Sequence, residues 1–185
     1  LRGAADDAPL PVVKSVRELR WESEVPLPNL KPSWLRVDAS PNRPLDELRT
    51  VLRGVTEFLD EADPEIAIVS IARRTGVRPE SFGQTLLHPV QYWTHGPDEV
   101  WPRTCLGRRL VAMMGGPASI ESIGATVTWT ARGIAVVDLA TDILTADADF
   151  LEEQHDRVLR AFQSTGVFGM RQGHVSVPGE RWTDR

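Results

Sequence analysis

Apolar and polar positions along this chain alternate between a period of two and a period of three to four, and the changes of period predict a hairpin, a helix and a strand in that order, twice. In the first copy, spanning Leu35 to Ala72, Trp34-Leu35-Arg36-Val37-Asp38 reads as a strand, Pro44 to Glu61 as an amphipathic helix and Ile66 to Ile71 as a buried strand. In the second, spanning Thr126 to Met170, Thr126 to Thr130 turns at Arg132-Gly133 into Ile134 to Leu139. A helix from about Asp147 to Gln163 and a strand at Val167 follow. Upstream, Val12 to Glu24 alternates as a first strand, after a loose leader at Leu1 to Pro11. Pro26, Pro28 and Pro32 make Val25 to Ser33 an extended crossing with no domain boundary.

The first helix carries Leu45, Leu48, Leu52, Val55, Phe58 and Leu59 at spacings of three and four, one apolar stripe. Pro44 suits its first turn, and Asp63-Pro64 stops it. Its opposite face gathers acids toward the C-terminal end, where the macrodipole prefers cations, so Glu57, Asp60 and Glu61 mark either a solvated face or a patch for a basic partner. In the second long helix Thr145 is the expected cap, the acids of the first turns and Arg157 and Arg160 near the end match the dipole, and Gly166 is a left-handed stop. The pattern predicts one α+β domain over residues 1–185, with a mainly antiparallel sheet, helices on one face and a possible duplicated hairpin-helix-strand unit.

Composition narrows the function. With 185 residues, 41% of them hydrophobic and 25% charged, the chain can bury a core without disulfides or metals. A net charge of −5 gives no basic excess to track a phosphate backbone, which disfavours nucleic acid. Cys105 is the single cysteine, which fits a reducing compartment. No apolar run approaches the roughly 18 residues of a membrane span, and no signal core opens the chain, so the expected location is cytoplasmic.

Arg73 to Glu99 is the least regular stretch, and Tyr92, Trp93 and Trp101 gather in and beside it. Large aromatics there plug the open end of a sheet, anchor a protein interface or line a small-molecule pocket. His88, His95, Asp98, Glu99 and Cys105 are types that a metal or a thiol nucleophile uses, but their spacing matches no metal signature, and neither a metal nor a cofactor is expected. Cys105 is read as opening a helix, with its thiol near the core, and His155 as a core-edge histidine between Leu151 and Leu159. Gly115-Gly116-Pro117 lacks the lysine and the preceding strand of a phosphate loop and reads as a helix stop. Arg73-Arg74 and Arg108-Arg109 suit surface ion pairs better than an anion site, and Asp38 and Asp138 suit turns better than an acid-base pair.

Leu106-Gly107-Arg108-Arg109-Leu110, Gly115-Gly116-Pro117, the hairpin at Arg132 to Val136, Thr141-Asp142-Ile143 and the helix to Phe162 resemble, in layout and hydrophobic rhythm, immunity proteins of bacterial polymorphic and type VI toxin systems. The resemblance covers about residues 104 to 165, with Arg108 where the family has an aromatic. It implies a non-enzymatic inhibitor that binds a cognate toxin. A rival resemblance, carried by Asn42-Arg43-Pro44 between strand and helix, is to crotonase-type acyl-CoA enzymes. Those enzymes need two oxyanion-hole amides and a long glycine-rich segment, for which 185 residues with only Gly115-Gly116 offer no evident source, and this resemblance ranks second. A third class is a small-molecule-binding protein or biosynthetic enzyme, with Trp93, Trp101 and Trp129 lining a pocket. The sequence reading therefore settles on a protein-binding module, leaning away from an enzyme. It meets a protein partner, expected to be a basic toxin domain, through Tyr92, Trp93, Trp101, Glu57, Asp60 and Glu61.

Overall fold

The computed structural model describes residues 15–20, 33–38, 44–69, 71–75, 78–82, 89–172 and 175–182. Two compact units divide the chain, Leu1–Val55 and Thr56–Arg185, with the boundary inside the first long helix. In the first unit β1 (Ser15–Arg20) pairs antiparallel with β2 (Ser33–Asp38), and helix α1 (Leu45–Ala62) begins. The leader at 1–11, the proline crossing at 25–32, Asn42-Arg43, His88 and His174 lie outside the described residues.

The second unit is α+β, built on a four-stranded antiparallel sheet ordered β3-β6-β8-β7. Its strands are β3 (Ile66–Val69), β6 (Arg103–Leu106), β7 (Thr126–Trp129) and β8 (Ala135–Asp138). Register sets Ala67, Cys105, Val136 and Thr128 in one cross-strand row, and Leu59 of α1 packs on that row with Ile134. Thr104, Leu106, Ala135 and Val137 point the other way and are also buried, so both faces of the central strands are covered. The hairpin expected at 126–139 is tight. Thr130 N–H donates to the Ile134 carbonyl at 3.0 Å, Gly133 N–H donates to the Thr130 carbonyl at 3.0 Å, and Gly133 takes the φ of 81° that this bulged turn requires.

Several expectations are corrected. Ile66 to Ile71 does not stay in one sheet: Ile66–Val69 forms β3 of the four-stranded sheet, whereas Ile71 belongs to β4 (Ile71–Thr75), which pairs with β5 (Arg78–Phe82) in a separate two-stranded sheet, position 70 lying outside the described residues. The stretch read as irregular thus holds that hairpin and helix α2 (Pro89–His95), because its glycines and prolines punctuate short elements. Cys105 lies inside β6, and the helix starts later as α3 (Arg108–Met113) after Gly107. A short α4 (Pro117–Glu121) then follows Gly116, with proline in its first turn. In α5 (Ala148–Ser164) the N-cap is Asp147, whose carboxylate accepts from Asp149 N–H at 2.9 Å, and Thr145 stays in the preceding turn. Val167 is buried outside any strand. Gly166, at φ 75°, ends the helix, and the strand forms at β9 (Met170–Gln172), paired with β10 (Val175–Val177) and apart from the main sheet.

The core of this unit is filled by Trp101, Leu106, Leu110, Met114, Ile120, Ile134, Leu151, Val158, Phe162, Phe168 and Trp182. The rings of Phe162 and Phe168 meet at 4.6 Å where the chain leaves α5.

Candidate functional site

The segment from Gly96 to Trp101 joins α2 to β6, and its polar side chains alternate between two neighbours. The Asp98 carboxylate, 5% exposed, accepts the Ser176 hydroxyl of β10 at 2.6 Å, with the Arg171 guanidinium of β9 at 3.7 Å. Glu99, one residue on, turns instead to α5, where its Oε1 meets His155 Nε2 and accepts Val100 N–H at 3.2 Å. His155 Nδ1 lies 3.0 Å from the Asp156 carboxylate. Hydrogen bonding to Glu99 is the largest influence on the imidazole and, helped by Asp156, raises its pKa above the ordinary 6.5 against the opposing effect of burial. With both ring nitrogens engaged by carboxylates, His155 bridges elements and has no nitrogen left over for a substrate.

Trp182, in a short 3-10 turn at Glu180–Trp182, anchors α2 from within. It is 1% exposed, its indole N–H donates to the Trp93 carbonyl at 3.3 Å, and the Tyr92 ring meets it edge-on at 5.2 Å. Arg109 places its guanidinium 5.6 Å over the same ring while pairing with Glu65. Gly96 is required beneath it, because a Cβ there would lie 2.8 Å from the indole.

The residues singled out from the sequence separate in the structure. Trp93 is 40% exposed, on the outer side of the helix that Trp182 holds. Tyr92 is half-buried, and Trp101, at 1% exposure, fills the core as a plug and presents no surface to a partner. Glu57 and Glu61 are exposed on α1. Asp60 is not spare charge: it accepts Arg132 N–H at 3.2 Å, and the Thr130 hydroxyl, ahead of that backbone contact, holds its pKa low. Trp129 spends its indole N–H on Glu121 at 2.9 Å.

The chemistry-bearing groups are tied up in the same way. Asp138 receives a bidentate ion pair from Arg103, its cross-strand neighbour, at 2.7 and 2.8 Å, and Arg103 also donates to the Thr56 hydroxyl at 2.9 Å. Burial pushes the Cys105 thiol up to about 12, so it is no nucleophile at neutral pH. Arg108 pairs with Asp63 at 2.5 Å, the surface-pairing outcome expected for that arginine pair. Among the described residues no three His, Cys, Asp or Glu side chains gather closely enough to hold a metal ion, and no helix is long and apolar enough to cross a membrane.

Sequence reading missed Trp182, Ser176 and the Glu99–His155 bridge, all of which join positions far apart in the chain. A tryptophan three residues after a glycine near the C-terminus was the available signal for the first.

One surface feature was also missed. In the β9–β10 ribbon the register pairs Met170 with Val177 and Gln172 with Val175, which puts all four on one face. Met170, Val175 and Val177 are exposed, at 51%, 63% and 36%, while Ser176 and Arg171 turn the other way toward Asp98. Helix α2, with Trp93, packs beside β10.

No protein-family model, curated protein or solved structure matches this chain.

Proposed function

We propose that this chain is a non-enzymatic protein-binding module, an immunity-type protein that captures a basic partner through the surface around Trp93, with the exposed carboxylates Glu57 and Glu61 steering the encounter. The observation that carries this reading is the exposed Trp93 on a helix clamped by Trp182, beside a ribbon that presents Met170, Val175 and Val177 to solvent. An aromatic on a rigid support loses little freedom on binding, which is what an interface anchor needs. The absence of a spare nucleophile or base among Asp98, Cys105, Asp138 and His155 supports binding over catalysis.

The test is affinity capture of the tagged chain in lysate of its native host, with wild type and Trp93→Ala compared side by side. One stoichiometric, basic protein that is released by high salt and retained poorly by Trp93→Ala is the expected result. A partner retained equally by both, or a small molecule carried through purification in place of a protein, contradicts the proposal.

A further inference from the structure

Strand β7, four residues long, forms one margin of the four-stranded sheet, and its own residues carry none of the charges, prolines or bulges that commonly blunt an edge. Thr126-Val127-Thr128-Trp129 has no charge and no proline, and its register with β8 runs through without a bulge. The turn fixes which backbone groups face outward. Because Thr130 and Ile134 form a hydrogen-bonded pair, alternation along an antiparallel ladder makes Thr128–Val136 and Thr126–Asp138 the bonded pairs of the hairpin. Val127 and Trp129 therefore turn their N–H and C=O groups away from β8. Among the described residues nothing hydrogen-bonds those outward groups. Thr126 and Thr128 are exposed, and Val127 and Trp129 are partly so. The opposite margin, β3, runs straight into position 70, outside the described residues, whereas every chain neighbour of β7 is described.

We propose that β7 is a self-association edge, pairing antiparallel with β7 of a second copy about a two-fold axis at Thr128 and joining the two sheets into one. The strand is its own complement. Centring the pair on Thr128 sets Val127 opposite Trp129 of the second copy in both directions, so the two residues with outward backbone groups bond each other reciprocally, as an isologous contact requires. Threonine then meets threonine on one face, and valine meets tryptophan on the other, both favourable cross-strand pairs. The exposed Arg132 beyond the strand is carried to opposite ends of the joined pair, so the two copies do not repel there.

Sedimentation equilibrium of the full chain, up to about 0.5 mM protein, tests the pairing. The expected result is a reversible monomer–dimer equilibrium that Thr128→Lys and Val127→Pro each weaken by at least about tenfold, with unchanged far-ultraviolet circular dichroism. Proline at 127 removes an N–H that β8 does not use; if that variant fails to fold, Thr128→Lys alone decides. A monomer over the whole range, or a dimer that Thr128→Lys leaves intact, overturns the proposal. So does a monomer that instead loses a different protein partner on Thr128→Lys.

Discussion

Replacing Arg103 by Met leaves Asp138 in place without its guanidinium, and the structure sets the cost. Two charge-assisted bonds to the carboxylate, at 2.7 and 2.8 Å, and one to the Thr56 hydroxyl, at 2.9 Å, disappear together. The side chains are 17% and 11% exposed, so the orphaned Asp138 is poorly hydrated. Breaking a buried pair from one side costs about 3–5 kcal/mol, and the residual solvent access here places Arg103→Met near the lower end, about 3 kcal/mol. For a chain of this size that lowers the melting temperature by roughly 6–12 °C. The double replacement Arg103→Met, Asp138→Leu removes both charges and is expected to recover to within about 1 kcal/mol of wild type. Urea unfolding followed by circular dichroism, with wild type and the two variants side by side, measures this. A single variant that loses less than about 1 kcal/mol, or a double variant as unstable as Arg103→Met, refutes the reasoning that the penalty is an unpaired buried carboxylate.

Three further outcomes follow from local geometry. The folded chain holds the His155 pKa above the unfolded 6.5, so the stabilisation by its bridge is fully present below pH 6.5. It is lost as pH rises through the raised value, and urea unfolding of His155→Gln should lack that alkaline decline. Gly107 has an ordinary φ of −65°, yet a Cβ there would lie 2.3 Å from the Pro64 carbonyl oxygen. Gly107→Ala should therefore cost about 2 kcal/mol or more by thermal unfolding, and a neutral result would show that this approach is not tight. Cys105, 2% exposed with its thiol pushed up to about 12, should resist a thiol-reactive dye at pH 8 until urea unfolds the chain. Labelling at the rate of an exposed thiol would contradict its burial.

The parts of the fold legible in the sequence are those written in local periodicity. The stripe from Leu45 to Leu59 gave α1, Gly133 gave the β7–β8 hairpin, and Gly166 gave the end of α5. Short elements between glycines and prolines were harder to read. Four residues of β6, Arg103 to Leu106, carry too little pattern to separate a strand from the first turn of α3, so local periodicity places Cys105 in the helix and the structure places it in the strand. The site was less legible still. Exposure divides Trp93 from Trp101, eight residues on, and the residue that bonds the Trp93 carbonyl, Trp182, lies far along the chain, where no local window contains it. In the sequence Asp60 looks like any surface charge, because its tie to the β7–β8 turn crosses a sequence separation of 72. Asp138 was noticed without Arg103, whose pairing exists only once β6 and β8 are in register.

The central claim is that Trp93 anchors a protein partner, and the most direct test is the dissociation constant of the captured partner for wild type and Trp93→Ala. Trp93 is 40% exposed and its backbone carbonyl, which truncation keeps, receives the Trp182 indole N–H, so both proteins are compared only after their melting temperatures show that each is folded. The account predicts a loss of affinity of about 30-fold or more, corresponding to about 2 kcal/mol. Equal affinity for the two folded proteins would contradict it.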